Sequence, residues 1–309
     1  MKNILVMGSG AVGGFYGAHL AQVSTLDVTF VARGAHLEAL QKTGLQITGK
    51  KELLLKQITA VSLPSEVTVS PDLVIISVKS FHTNEAIELL RPVITKNTII
   101  LTLQNGLENY ERLAEAFGSD NVIRGFCKIG VEVTAPGVID YRGLSKVFFG
   151  EENGLRSNRV LQLQKIFQLA GIEGEVSENI HKEAWLKFIW NGIFNMITGL
   201  AKVTLDQVFL DKHAHATAWQ LFYEMQAVAG VCGVTVSEQE GAEIINGAEE
   251  LGVFRTSTYQ DRQKGKPLEY DAFCGYVVRK AEEYDIGVPV NRTILALYQL
   301  LDQSDRNSS

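Results

Sequence analysis

Residues 2–13 read KNILVMGSGAVG, and this stretch decides the fold. KNILVM is a short aliphatic run that ends at a glycine, as a buried strand does. GSGAVG then matches G-x-G-x-x-G, and the helical run GGFYGAHLAQ follows directly. The spacing alone is a weak signal, but between a strand and a helix it has a mechanism. Gly8 permits the tight turn, Gly10 lets the backbone approach a pyrophosphate, and Gly13 lets helix and strand pack closely. The helix start presents unpaired N–H groups to the phosphates. Gly8, Ser9, Gly10, Ala11, Val12 and Gly13 are therefore the candidate dinucleotide contacts, against the plainer alternative of a turn that only packs.

Working outward, DVTFVAR, GAHLEALQKTG, DLVIISVKS, TNEAIELLRPVI and NTIILTLQNG alternate strand-like with helix-like runs. That order predicts an α/β fold with a Rossmann-type, doubly wound parallel sheet. LQITG and KELLLKQITAV are expected to pair as a hairpin around Gly49, and the segment from Val122 to Glu152 to form further strands and turns. From about residue 157 the periodicity is helical, through SNRVLQLQKIFQLAG and on to NRTILALYQLLDQ. Two domains follow: residues 1–175 as a dinucleotide-binding Rossmann domain and 176–309 as an all-helical domain, a cleft between them being the natural place for a ligand.

Composition narrows the function classes. The chain has 309 residues, 46% hydrophobic and 21% charged, enough for two cores. Its net charge of -6 favours neither nucleic acid nor an acidic membrane, so an anionic ligand must be held by local groups. Cys127, Cys232 and Cys274 lack metal or disulfide spacing and read as buried free thiols; no metal is expected. His213 and His215 read as exposed helix residues, too poorly aligned to be a ligand pair. No run reaches the ~20 apolar residues of a membrane span, and the default location is cytoplasmic. The closing DQSDRNSS is expected to be a disordered tail.

The strand ends carry the next candidates. The second strand closes on VARG, where NAD-specific domains place an acid for the ribose hydroxyl. Arg33 stands there instead, and a guanidinium matches a 2'-phosphate, favouring NADP(H), unless it only caps the strand. Lys79 in SVKS and Asn105 in LQNG lie at the carboxyl edge where such sheets bind ligands, though each residue type is also common in solvated turns.

KEAWLKFIWNGIFNMITGL, residues 182–200, is a helix apolar nearly all round. At about 100° per residue, Lys187, Asn191, Asn195 and Thr198 share about 80° of arc. Polar groups on a buried helix need partners, so this row reads as the wall of a ligand site. A surface pairing of Glu183 with Lys187 is the bland alternative. A lysine whose pKa is lowered by burial can deliver a proton to a carbonyl oxygen as hydride reaches carbon. Glu269, in the basic stretch TSTYQDRQKGKPLEYDAF, stands at an expected helix start and is the acid most suited to share the site.

With these residues placed, residues 2–302 resemble the ketopantoate reductase family. The resemblance rests on GSGAVG, VARG, SVKS, QNG, the pattern K-x-x-W-x-K-F-x-x-N-x-x-x-N from Lys182 to Asn195, and TSTYQD followed by PLEYD. It implies NADPH-dependent reduction of 2-dehydropantoate to (R)-pantoate in pantothenate synthesis. Lys187 would be the proton donor, Asn191 and Asn195 the substrate amides, and Ser257 the carboxylate contact. Asn105 would serve nicotinamide and substrate, Lys79 the nicotinamide ribose, and Glu269 both cofactor and substrate. Many relatives carry serine-methionine where this chain has Ser257 and Thr258. Another branched 2-oxo acid, or a non-catalytic NADP(H) sensor, are the competing readings. The partners expected are a small-molecule 2-oxo acid, no nucleic acid and no membrane, with a homodimer as the one assembly considered.

Overall fold

The strand expected at the amino terminus is β1 (Asn3–Met7), and its alternating side chains enter two different cores. Ile4 and Val6 pack with Phe15, Tyr16 and Phe30, while Leu5 and Met7 pack with Val74, Ile76 and Leu90. A strand buried on both faces needs cover on both, which is what a doubly wound sheet supplies. After the turn at Gly8 comes α1 (Ala11–Leu20), then β2 (Asp27–Val31) and α2 (Gly34–Lys42). The short strands β3 (Leu45–Gly49), β4 (Leu53–Leu55) and β5 (Thr59–Val61) lead to β6 (Leu73–Ile76), α3 (Thr83–Leu90), β7 (Ile99–Thr102) and α4 (Glu108–Phe117). A long hairpin, β8 (Val122–Ala135) with β9 (Val138–Gly150), then α5 (Asn158–Leu169) and β10 (Glu173–Val176) complete the sheet-bearing part.

The sheet runs β4-β3-β9-β8-β7-β6-β1-β2-β5, with β10 on β9. From β5 through β8 every pair is parallel, and chain order reverses beside β1. That reversal is the switch point outside whose strand ends α/β sheets take ligands. The expected hairpin forms only in part. Leu45 pairs with Leu55 and Ile47 with Leu53, antiparallel, but the run ITAV leaves them: β5 joins the opposite edge, parallel to β2. A three-residue strand has too little pattern of its own to specify its neighbour.

The structure describes residues 1–307, and side chains to 304. Two units are distinguished in this computed structural model, Met1–Asn105 with Asn109–Ile180, and Gly106–Glu108 with His181–Ser309. Among the described residues the second unit is all helical. It comprises α6 (Ile180–Ala201), α7 (Leu205–Leu210), α8 (Lys212–Val231), α9 (Glu238–Glu249), α10 (Ser257–Gln263), α11 (Cys274–Glu283) and α12 (Pro289–Asn307). Glu224 of α8 accepts bonds from the Val290 and Asn291 N–H groups and from the Asn291 amide, closing the start of α12. α12 runs on through the stretch expected to be disordered, because no glycine or proline interrupts it; residues 308–309 lie outside the described residues. No helix among the described residues is long and apolar enough to cross a membrane.

Two side-chain expectations need correction. Cys127 and Cys274 are buried, and burial pushes the Cys274 thiol up to about 12, but Cys232 is only half-buried. His213 is exposed, whereas His215 is half-buried with its ring 5.6 Å from that of Phe209.

Candidate active site

The turn after β1 is held from several sides. The Ser77 hydroxyl donates to the Gly8 carbonyl (2.8 Å), and the Ser9 N–H donates to the Val31 carbonyl (3.0 Å). Gly8 has φ +94°, open to glycine and strained for other residues. The Ser9 hydroxyl is turned inward, 3.4 Å from the Val6 carbonyl. A Cβ on Gly13 would collide with Ser77 Oγ and the Gly8 carbonyl, so the close-packing role expected of it is met. Gly10 is different: its φ is −72°, and a Cβ there would meet nothing within 4 Å. The protein's own packing does not require glycine at that position. It is a cradle that a side chain would fill, beside the start of a helix with no capping side chain and no acid in its first turn. Such a helix end suits a phosphate.

His36 also supports this turn, through contacts with residues distant in sequence that leave no local signal. Its Nε2–H donates to the Ser9 carbonyl at 2.8 Å, while Nδ1 accepts from the Gly137 N–H at 3.1 Å. Those two bonds fix the neutral tautomer. Burial lowers the pKa of His36, opposed in part by the bond to Ser9.

Arg33 stands at the N-cap of α2, exposed, and its fork is engaged by Glu85 of α3: Nη1 to Oε1 at 2.8 Å and Nη2 to Oε2 at 3.1 Å. Lys79 is half-buried and precedes a 3-10 turn over Ser80–His82. Asn105 follows β7 and leads into Gly106, whose φ is +88°. A buried polar network fixes both loops. The Asn105 carbonyl accepts from Ser80 Oγ and Asn109 Nδ2, Asn109 Oδ1 accepts from Thr83 Oγ1 (2.7 Å), and Gln104 Nε2 donates to Thr83 Oγ1 (2.8 Å) and the Val78 carbonyl (3.1 Å). Ser80, Thr83, Gln104 and Asn109 are ordinary turn and helix residues in the sequence; only the long-range pairing gives them this role.

In the helical unit, α6 is buried on the face carrying Trp185, Phe188, Ile189, Ile193 and Phe194, and on much of the polar row as well. Asn191, Asn195 and Thr198 are 8%, 2% and 0% exposed, and Lys187 is half-buried. The row is thus not a solvent face. Thr198 is absorbed structurally, donating to the Phe194 carbonyl (2.6 Å) and pairing with Thr256 Oγ1 (2.7 Å). Thr256 caps α10, and Arg262 of α10 donates to the Gly199 and Leu200 carbonyls at the end of α6. These ties bring Ser257 to Asn195, whose Nδ2 donates to Ser257 Oγ at 3.4 Å. The Asn195 Oδ1 is buried and has no hydrogen-bond partner among the described residues. Among the described residues, the Asn191 side chain makes no hydrogen bond. Leaving a buried amide oxygen unpaired costs about 1–3 kcal/mol.

Glu269 is 7% exposed. It does not head a long helix: a single 3-10 turn, Tyr270–Ala272, follows it, Phe273 breaks the run at φ −114°, ψ −91°, and α11 begins at Cys274. One 3-10 turn aligns too few peptides for a macrodipole to favour an acid at Glu269, contrary to the expectation of a helix start there. Tyr270 stacks on Tyr298 at 5.3 Å, and the Tyr298 hydroxyl donates to the Met196 carbonyl of α6 at 2.8 Å, so Glu269 is anchored to the same helix as the amides. Thr258 is 4% exposed, and its side chain packs against Gly199.

The family model for ketopantoate reductase PanE/ApbA matches residues 4–154, and its C-terminal counterpart matches residues 179–302. The chain belongs to the ketopantoate reductase family. It is an oxidoreductase. The 2-dehydropantoate 2-reductase of Mesorhizobium japonicum is 31% identical to this ketopantoate reductase family member over 96% of the chain and 97% of that protein. The enzyme of the same name from Archaeoglobus fulgidus is 31% identical over 96% and 97%. A PanE/ApbA family ketopantoate reductase from Ralstonia eutropha has the same fold, with TM-score 0.91 and 29% identity over 99% of this chain and all of that one. D-mandelate dehydrogenase, solved with NADH and anilino(oxo)acetate, shares the fold at TM-score 0.90 and 24% identity over 99% and 100%.

Proposed function

We propose that this member of the family reduces 2-dehydropantoate to (R)-pantoate with NADPH, as a step of pantothenate synthesis. The observation that carries the reading is the unpaired, buried Oδ1 of Asn195 beside Ser257, on the helix that also presents Asn191 and Lys187. An amide oxygen requires a donor. The carboxylate and ketone of a 2-oxo acid offer only acceptors, whereas the terminal hydroxyl of 2-dehydropantoate offers an O–H. Asn195 therefore selects a hydroxylated 2-oxo acid, and Ser257 can donate to its carboxylate.

The residues of the sheet-bearing unit fit a dinucleotide: the turn from Gly8 to Gly13 with Ser9, Ala11 and Val12 for the pyrophosphate, Arg33 for the 2'-phosphate, and Lys79 and Asn105 toward the nicotinamide end. Bound there, the cofactor would supply hydride to the carbonyl carbon. Lys187 holds its ammonium proton for the carbonyl oxygen. Asn191 and Asn195 orient the substrate in a water-poor environment, where each hydrogen bond is strengthened. Glu269, also buried, holds substrate and cofactor groups in register.

The test is NADPH oxidation with 2-dehydropantoate against 2-oxoisovalerate, which keeps the branched skeleton and lacks the hydroxyl. The expected outcome is a kcat/KM ratio of about 10^2 or more in favour of the hydroxylated acid. Equal values point to another branched 2-oxo acid as the substrate. NADPH binding without oxidation of any acid points to a sensor.

A further inference from the structure

The pair between Arg33 and Glu85 joins the end of β2 to the first turn of α3, 52 residues apart in sequence. Both side chains are largely exposed, at 56% and 45%, so the pair contributes little to stability. Its geometry is bidentate: the carboxylate takes the edge of the guanidinium that a 2'-phosphate would use, since both present two oxygens to two parallel N–H groups. His82 Nδ1 lies 3.0 Å from Oε2 of the same carboxylate. The Arg33 hydrogen bonds hold the Glu85 carboxyl below the usual carboxylate range, so it stays charged. Dinucleotide sheets that select NAD place their acid at the end of the second strand. This chain has an arginine there and brings a carboxylate to the same spot from α3.

We propose that Glu85 is a specificity-determining residue that competes with the cofactor's 2'-phosphate for Arg33 and so narrows the preference for NADPH over NADH. This rests on the reading of Arg33 as the 2'-phosphate contact. Glu85 must release the guanidinium before a 2'-phosphate can take it, and its own charge repels that phosphate. A ribose bearing a free 2'-hydroxyl meets neither obstacle, and a carboxylate can accept from it.

The experiment measures binding, by isothermal titration of the full-length protein with NADP+, NAD+, and the fragments 2'-AMP and 5'-AMP. In Glu85→Gln the Kd for NADP+ and 2'-AMP should fall about three- to tenfold, from loss of an exposed pair and of the charge repulsion, with NAD+ and 5'-AMP unchanged or weaker. In an Arg33→Ala background the same substitution should give most of that gain back, because there is no guanidinium left to free. Salt should weaken NADP+ binding more steeply in Glu85→Gln than in wild type. If wild type prefers NADP+ and Glu85→Gln leaves every Kd unchanged, the competition is refuted while the function reading stands. If wild type binds 2'-AMP no better than 5'-AMP and Arg33→Ala changes neither, the 2'-phosphate assignment itself is overturned, and this inference with it.

Discussion

Gly10 and Gly13 lie three residues apart in the same turn, yet replacing each by alanine should have opposite consequences. At Gly13 the new methyl would lie inside contact distance of Ser77 Oγ and of the Gly8 carbonyl, and the carbonyl cannot swing aside as a flexible side chain would. Overpacking of this kind costs about 1–3 kcal/mol. In a unit of this size that lowers the melting temperature by roughly 2–12 °C. At Gly10 the methyl meets nothing within 4 Å and φ is −72°, so Gly10→Ala should leave the unliganded melting temperature unchanged or slightly raised. What it should lose is the cofactor, because the methyl occupies the space through which a pyrophosphate approaches. A tenfold weaker Kd corresponds to about 1.4 kcal/mol. Thermal unfolding with and without saturating NADPH reads both effects, since binding to the native state raises stability by mass action. The expected pattern is a normal unliganded melting temperature with a reduced NADPH shift in Gly10→Ala, and a lowered unliganded melting temperature in Gly13→Ala. If Gly10→Ala keeps the full NADPH shift, no phosphate passes over residue 10 and the dinucleotide reading of this turn is wrong.

Two further outcomes follow from buried polar groups. His36 and His19 both have pKa values lowered, first by burial, so the unfolded chain binds more protons than the native one as pH falls below about 6.5. Stability from these rings is therefore full above that pH and is lost on acidification, at most by about 1.4 kcal/mol per pH unit for each histidine. Urea unfolding between pH 7.5 and 5 should show this slope, reduced in His36→Gln; an unchanged slope would remove His36 as a contributor. Asn195→Leu removes an unpaired buried oxygen along with the weak bond to Ser257, so urea unfolding should find stability within about 1 kcal/mol of wild type or higher. Its kcat/KM for the oxo acid should fall at least about tenfold. Strong destabilisation together with retained activity would make that amide structural.

How much of this was legible in the sequence depended on whether the signal was local. KNILVMGSGAVG carries its own strand, turn and helix, and KEAWLKFIWNGIFNMITGL carries its own burial pattern, so both were readable from spacing. The pairing of Asn195 with Ser257, of Arg33 with Glu85, and of His36 with Gly137 links residues far apart in sequence and leaves no local trace. The destination of β5 was hidden because a three-residue strand encodes no register. The composition around Glu269 predicts a helix start, but the break at Phe273 depends on packing that periodicity does not see.

The central claim is that Lys187 delivers the proton on α6, and a single-turnover measurement of Lys187→Ala addresses it most directly. Stopped-flow NADPH oxidation with saturating 2-dehydropantoate should show the chemical step slowed by about 10^2 or more, with the NADPH Kd within about twofold of wild type. A chemical step as fast as wild type would contradict the account and place the proton donor elsewhere.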